Sequence, residues 1–226
     1  MKALLLRLQG VTAHFRDPRL NTAKIGLPAR TLHAPPPCTI HGLICAAAGG
    51  WVKPGTLVLG WRMDYDAVNS DFGRNQLPQR KEYNQKLGLQ KTSPSPVERE
   101  FLSFPVLSIL AFDDCIQSSW FRRPANPLSL GRAEDMITDR EWQEVEVERR
   151  NEGEIARQCV PMNIATGTLY AAPLYFAEHR QPVGMAPRTD AVRLQEVRSP
   201  QQRNDFAYVA STHETFYIWD FSNATR

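Results

Sequence analysis

Long hydrophobic runs are missing from this chain. No apolar stretch approaches the roughly 20 residues of a helical membrane span, so no membrane partner is expected. The opening Met1-Lys2-Ala3-Leu4-Leu5-Leu6-Arg7 has leucines and a basic residue, but Arg7 ends the run too early for a signal-peptide core. It reads as a first strand. Cysteine is sparse: Cys38, Cys45, Cys115 and Cys159 form no C-x-x-C pair, and the histidines form no H-x-x-x-H. A structural zinc site is therefore not expected. Reduced, buried thiols of a cytoplasmic protein are. Paired carboxylates, a nucleophile elbow, a phosphate-binding loop, a dinucleotide fingerprint and internal repeats are all missing as well. No metal and no cofactor are expected.

Lysine is absent beyond Lys91, and this lack is one-sided. Residues 1–113 hold 14 Lys and Arg against 8 Asp and Glu, while residues 114–226 hold 13 against 16. The net charge of +3 hides that split. The first half is a candidate surface for a polyanion, and the second a candidate for protein contacts. The length of 226 residues is enough for a substantial core in one domain or two small ones.

The densest signal lies at residues 30–50. Pro35, Pro36 and Pro37 force an extended strut. A helix follows, with Thr39 as the expected N-cap and Ile40, Leu43, Ile44 and Ala47 on one apolar face. Gly49 and Gly50 end it. Arg30 and His33 lead into the strut, and a helix N-terminus favours anions. Alone, these features are also those of ordinary helix initiation.

Around this stretch the pattern predicts further elements. Residues 3–9 alternate as a strand, with Leu4, Leu6 and Leu8 on one face and Leu5, Arg7 and Gln9 on a partly polar one. Residues 56–65 form a second strand. Residues 101–112 form a third, bulged or at an edge because of Pro105. A helix is expected from about Asp113 to Phe121. A fourth strand and a glycine turn are expected within 121–132. The order is βαββαβ, an α+β, ferredoxin-like (RRM-like) plan. In such a domain one sheet face packs on helices and the other stays open to RNA. The boundary is placed at 139/140. Beyond it, short strands at 168–176, 191–197, 206–210 and 215–221 predict a small β-rich second domain.

Residues 70–100 interrupt this plan with a long polar excursion. It carries Arg74, Arg80, Lys81, Lys86, Lys91 and Arg99 around an island of Tyr83, Leu87 and Leu89. An insertion of that length is either functional or a solvated loop. A projecting hairpin that grips a phosphate backbone is the sharper reading.

The order Pro-Pro-x-Thr-Ile-x-Gly-Leu-Ile-x-Ala-Ala-x-Gly, close behind a leucine-rich first strand, resembles the CRISPR-associated "Cas five" family. Arg-Glu-Phe-Leu at 99–102 and Pro-x-x-x-Leu-x-Leu-Gly-Arg-x-Glu-Asp at 124–135 resemble two further landmarks of that family, give or take two spacer residues, in the same order. The resemblance covers about the first 135 residues; beyond Arg140 no motif carries it. It implies a RAMP-type subunit of a type I, Cascade-type effector complex for antiviral defence. Such a subunit holds the 5′ handle of the guide RNA and caps the backbone filament. The implied partners are the guide RNA, the backbone and large subunits, and target DNA near the end of the complex. The loop after the first strand, the insertion and the Gly131-Arg132 turn are implied as the cradle. A glycine-rich loop found elsewhere in the superfamily has no clear counterpart here.

For RNA, phosphate neutralisation is assigned to Arg16, Arg19, Lys24, Arg30, His33, Arg74, Arg80, Lys81, Lys86, Lys91, Arg122, Arg123 and Arg132. Tyr83, with Phe15 and Phe121, is assigned to stacking, and Gly131 to backbone contacts. Each arginine taken singly is as well explained as a solvated charge. The competing reading is a metal-independent endoribonuclease that processes precursor RNA, with His14, Tyr83 and Lys81 as acid, base and charge stabiliser. A third reading makes the acidic strand 141–148 and the Phe216-Tyr217-Ile218-Trp219 tail docking surfaces for other subunits.

Overall fold

The computed structural model describes residues 1–19, 29–74, 96–112 and 115–222; at residues 73, 74, 96 and 97 it describes the backbone only. Its centre is a closed barrel. Strand β1 (Lys2–Gly10) is flanked by β6 (Val106–Ala111) and β7 (Ile137–Arg150). Strand β3 (Val58–Asp64) follows β6, and β16 (Glu214–Asp220) follows β3. Strand β15 (Phe206–Val209) joins β16 back to β7. Each of these pairings is antiparallel.

Closure overturns the expected open sheet face. The face of β1 that bears Leu6 and Leu8 packs beneath helix α1 (Pro37–Ala48), together with Trp61, Ile109 and the helix residues Ile40 and Ile44. The other face looks into the barrel, where Leu5, Leu110, Phe112, Val145, Phe216 and Ile218 are buried. Leu5 is only 1% exposed, so the side expected to be partly polar is a second core. Each such side chain left to water would cost roughly 1.5–3 kcal/mol, which favours closure over an open sheet. The architecture is mostly β with this barrel, and a ferredoxin-like plan alone does not describe it.

The expected boundary at 139/140 falls inside β7. The first part of β7 pairs with β1 and its last residues pair with β15, so both halves of the chain build one barrel. The Phe216–Trp219 tail is correspondingly not a free docking surface. Phe216 points into the barrel, and Trp219 stacks on Trp61 with ring centroids 5.6 Å apart.

Local departures have simple causes. Helix α1 starts at Pro37 with Pro36 as N-cap, not Thr39, because proline's fixed φ and missing N–H suit the first helical position. The Thr39 and Ile40 N–H groups bond the Pro36 carbonyl, which leaves this terminus little to offer an anion. Gly49 caps the other end at φ 83°, and a β-carbon there would lie 2.6 Å from that of Ala125. Pro105 splits the expected third strand. Phe104 turns at φ 50°, so that β5 (Pro96–Ser103) joins β2 (Thr12–Ala13) and β4 (Ala67–Arg74), while β6 enters the barrel. Helix α2 is shorter than expected, Ser118–Arg122, and Asp113 and Asp114 lie outside the described residues. The expected fourth strand within 121–132 is a turn; the fourth strand of the barrel in chain order is β7.

The rest of the second half is short strands. β8 (Glu152–Ile155) pairs with β14 (Gln195–Arg198), and β11 (Tyr175–Phe176) with β12 (Pro182–Val183). β9 (Gln158–Pro161) and β10 (Thr168–Ala172) flank β13 (Ala186–Ala191). Among the described residues no helix is long and apolar enough to cross a membrane.

Candidate nucleic-acid interface

Four segments distant in sequence meet beyond the end of β1. They are the loop 12–19, the strut 29–37, the base of the β4–β5 hairpin and the turn 128–136. The His14 N–H donates to the Leu130 carbonyl at 3.1 Å, and the Leu32 N–H to that of Phe15 at 2.7 Å. Ala29 and β5 exchange bonds, Ala29 N–H to the Glu98 carbonyl at 2.7 Å and Glu100 N–H to the Ala29 carbonyl at 2.9 Å. The Thr31 hydroxyl accepts the Phe15 N–H at 2.9 Å. Proline-rich and short segments cannot complete a ladder alone, so their polar backbone groups pair with one another.

The turn is shaped by two residues. Gly131 takes φ 115°, and a β-carbon there would lie 1.9 Å from the His14 carbonyl oxygen. Only glycine lets the two backbones approach so closely. Asp135 is fully buried and accepts from Arg132 Nε and Nη2, each at 2.9 Å, and from the Thr12 hydroxyl at 2.6 Å. Burial pushes the Asp135 carboxyl up, but the Arg132 and Thr12 hydrogen bonds outweigh that and hold it below the usual range. Arg132 is therefore committed to the turn and is not a free phosphate ligand.

Both histidines here are neutral at pH 7, because burial pushes each below its ordinary value. His14 Nδ1–H donates to the Glu100 carbonyl at 2.7 Å, which fixes its tautomer. His33 Nδ1 and the Tyr65 hydroxyl are hydrogen-bonded at 2.5 Å, and burial raises that phenol and keeps it neutral. Arg157 stacks on Tyr65 with its guanidinium 4.2 Å from the ring centroid and donates to the Tyr65 carbonyl at 3.0 Å.

The residues assigned from sequence divide unevenly. Arg16 and Arg30 are exposed on the rim. Arg30 lies 3.9 Å from Glu100, and Arg19 donates through Nε to Asp17 at 2.9 Å, which offsets its charge. His33 belongs to the rim, whereas the His14 ring is only 8% exposed. Lys24, Arg80, Lys81, Tyr83, Lys86 and Lys91 lie outside the described residues, and Arg74 is described by its backbone alone, opposite Pro96 at the far end of the hairpin. Arg122 and Arg123 are exposed on α2; Arg122 sits over the Trp142 ring of β7 at 5.5 Å, not over the cradle. Phe15 and Phe121 are buried, so neither offers a face to a base. Phe72, 80% exposed on β4, does. Tyr65, Arg157 and Phe72 escaped the sequence reading. Only Phe72 left a trace there, as an apolar residue alternating with Val68 in a polar strand. Arg157 owes its place to a φ of 54°, which its sequence does not announce. Among the described residues no group of three His, Cys, Asp or Glu side chains could hold a metal ion.

No family model matches the chain, and no curated protein matches it. Solved structures do. One is a crystal structure of a CRISPR protein from Archaeoglobus fulgidus, 14% identical, with a TM-score of 0.47 over 96% of this chain and 99% of that one. Another is from a CRISPR RNA-guided surveillance complex, 15% identical, with a TM-score of 0.48 over 88% and 91%. A third is described as a Cas protein, 17% identical, with a TM-score of 0.43 over 88% and 96%. At these values the likeness carries no argument about fold or function.

Proposed function

We propose that this chain is a non-catalytic RNA-binding subunit of a type I CRISPR effector complex, cradling the 5′ handle of the guide RNA. The observation that carries the reading is that the segment leading into the first motif meets the other two motif segments. The proline strut, the Arg99–Leu102 stretch and the Gly131 turn, distant in sequence, are hydrogen-bonded around the loop after β1. The strand order β7-β1-β6-β3, with α1 and α2 as crossovers, supports a ferredoxin-like unit within the barrel. Arg16 and Arg30 supply exposed charge, the hairpin supplies an arm, and Phe72 supplies a stacking face. The backbone and large subunits remain the proposed protein partners, and the cytoplasm the proposed location.

The test is binding of CRISPR-repeat RNA by the full chain across a salt series. Changing Arg16 and Arg30 to glutamate is expected to weaken binding and to lower the salt slope by roughly 0.7 per lost phosphate contact. An unchanged slope would refute the cradle. The same RNA incubated in chelator tests the nuclease reading: specific cuts lost on changing His14, Tyr83 or Lys81 would replace the non-catalytic reading with it.

A further inference from the structure

We propose that Asp190, on β13 in the second half of the chain, is a positioning residue for the strut 29–37. Its buried carboxylate pins the strut's backbone and sets the charge behind the RNA-facing rim. The RNA part of this rests on the function proposed above; the pin does not.

Asp190 is 1% exposed. Its Oδ2 accepts the His33 N–H at 2.7 Å, across 157 positions of sequence, and the Ala34 N–H also turns toward it. Its Oδ1 is buried with no hydrogen-bond partner among the described residues. A bare, buried carboxylate oxygen is costly when charged, and less so when protonated.

Of the charges packed against it, Asp17 adds to that cost and Arg19 offsets part of it. From the loop 12–19 come Asp17 and Arg19, which bond each other. From the end of β3 come Tyr65 and Asp64, the latter shared with Arg62 and Arg157. From β9 and β10 come Cys159, pushed up to about 12, and Tyr170, pushed well above 10, so both are neutral. Cys38, at the start of α1, is raised by burial and is neutral too. On its own strand, Arg188 lies over the Trp219 ring and donates to the Pro187 carbonyl. Burial pushes Asp190 up to about 7, while His14 and His33 are driven below 6.5. At pH 7 and above both histidines are neutral, so from there upward Asp190 is the one of these three groups whose charge changes. Ionised, it sets a negative charge behind the rim that RNA phosphates face. A single charge acting through that thickness is worth roughly two- to fivefold in affinity.

The test compares the full chain with Asp190→Asn, which keeps an acceptor oxygen without charge, and Asp190→Ala, which removes the acceptor. In amide hydrogen exchange at one pH, the alanine variant is expected to exchange His33 and Ala34 roughly tenfold faster, and the asparagine variant to keep most of the protection. Unchanged protection in the alanine variant would overturn the pin. Anisotropy with a short rhodamine-labelled oligouridine, at about pH 6 and about pH 8, reads the charge. On going to the higher pH the wild-type chain is expected to lose roughly two- to fivefold more affinity than Asp190→Asn does. An asparagine variant that follows the wild type would overturn the coupling. Failure of the wild-type chain to bind at either pH would overturn the RNA reading and the coupling together, leaving the exchange result to decide the pin.

Discussion

Gly131 passes so close to His14 that a β-carbon on it would sit 1.9 Å from the His14 carbonyl oxygen. Two of the segments that build the cradle are thus joined where no side chain fits. Gly131→Ala adds that clash to a left-handed backbone at φ 115°, and a loss of at least about 3 kcal/mol in urea unfolding is expected. Gly42, exposed in α1 with nothing within 4 Å of its would-be β-carbon, is the control. Gly42→Ala should stabilise the protein by about 1 kcal/mol. If the two substitutions move the urea midpoint equally, the close approach is not what holds the turn.

Asp135 ties Arg132 and Thr12 to the same turn. Removing it with Asp135→Ala leaves the Arg132 guanidinium only the exposed Glu134, 3.4 Å from its Nε, and a loss of roughly 3 kcal/mol is expected. Its carboxyl is held below the ordinary 3.8 in the folded protein. That contribution is complete above the unfolded value and disappears as pH falls through the folded one. Acid titration of wild type and variant should therefore show their stability difference shrinking below about pH 4. A difference that stays constant to strong acid would contradict the pairing.

The opposite sign holds for Asp190. Its folded value, about 7, lies above the ordinary 3.8, so its stabilising protonation is complete only below 3.8 and is lost progressively as pH rises from there to about 7. The melting temperature of the wild-type chain should fall between about pH 4 and about pH 7 relative to that of Asp190→Asn. Parallel melting curves for the two proteins across that range would rule this out.

Phe72 presents most of its ring to solvent on β4, so removing it should cost the fold little. Phe72→Ala is expected to leave the urea midpoint within about 0.5 kcal/mol of wild type. It should weaken single-stranded RNA binding by roughly 1–3 kcal/mol, the worth of one stacked base. Quenching of 2-aminopurine placed along the RNA would locate the contact. Binding that ignores the substitution would remove Phe72 from the interface.

Much of the local structure was legible in the chain. The apolar spacing of Ile40, Leu43, Ile44 and Ala47 marked the buried face of α1, and Gly49 marked its end. Pro105 marked a break in a strand. The exposed charge of Arg16 and Arg30 was legible as charge. What misled was alternation. In β1 and β7 it correctly predicted two faces, but it carried no information on whether the second face meets water or another strand. Phe15 and Phe121 read as stacking aromatics by residue type and basic neighbours alone, and both lie in the core.

The sequence by itself determined the helix over residues 37–48, the strands at 2–10 and 58–64, the break at Pro105, and the net positive charge of the first half. These follow from φ restrictions, side-chain periods and ionisation, which act over a few residues. Only the tertiary structure decided that β15 and β16 close the sheet into a barrel, that Arg132 is consumed by Asp135, and that Asp190 reaches back to His33. Those outcomes depend on pairings between residues far apart in the chain. The long-range burial of apolar surface and of polar backbone selects such pairings, and no local pattern encodes them.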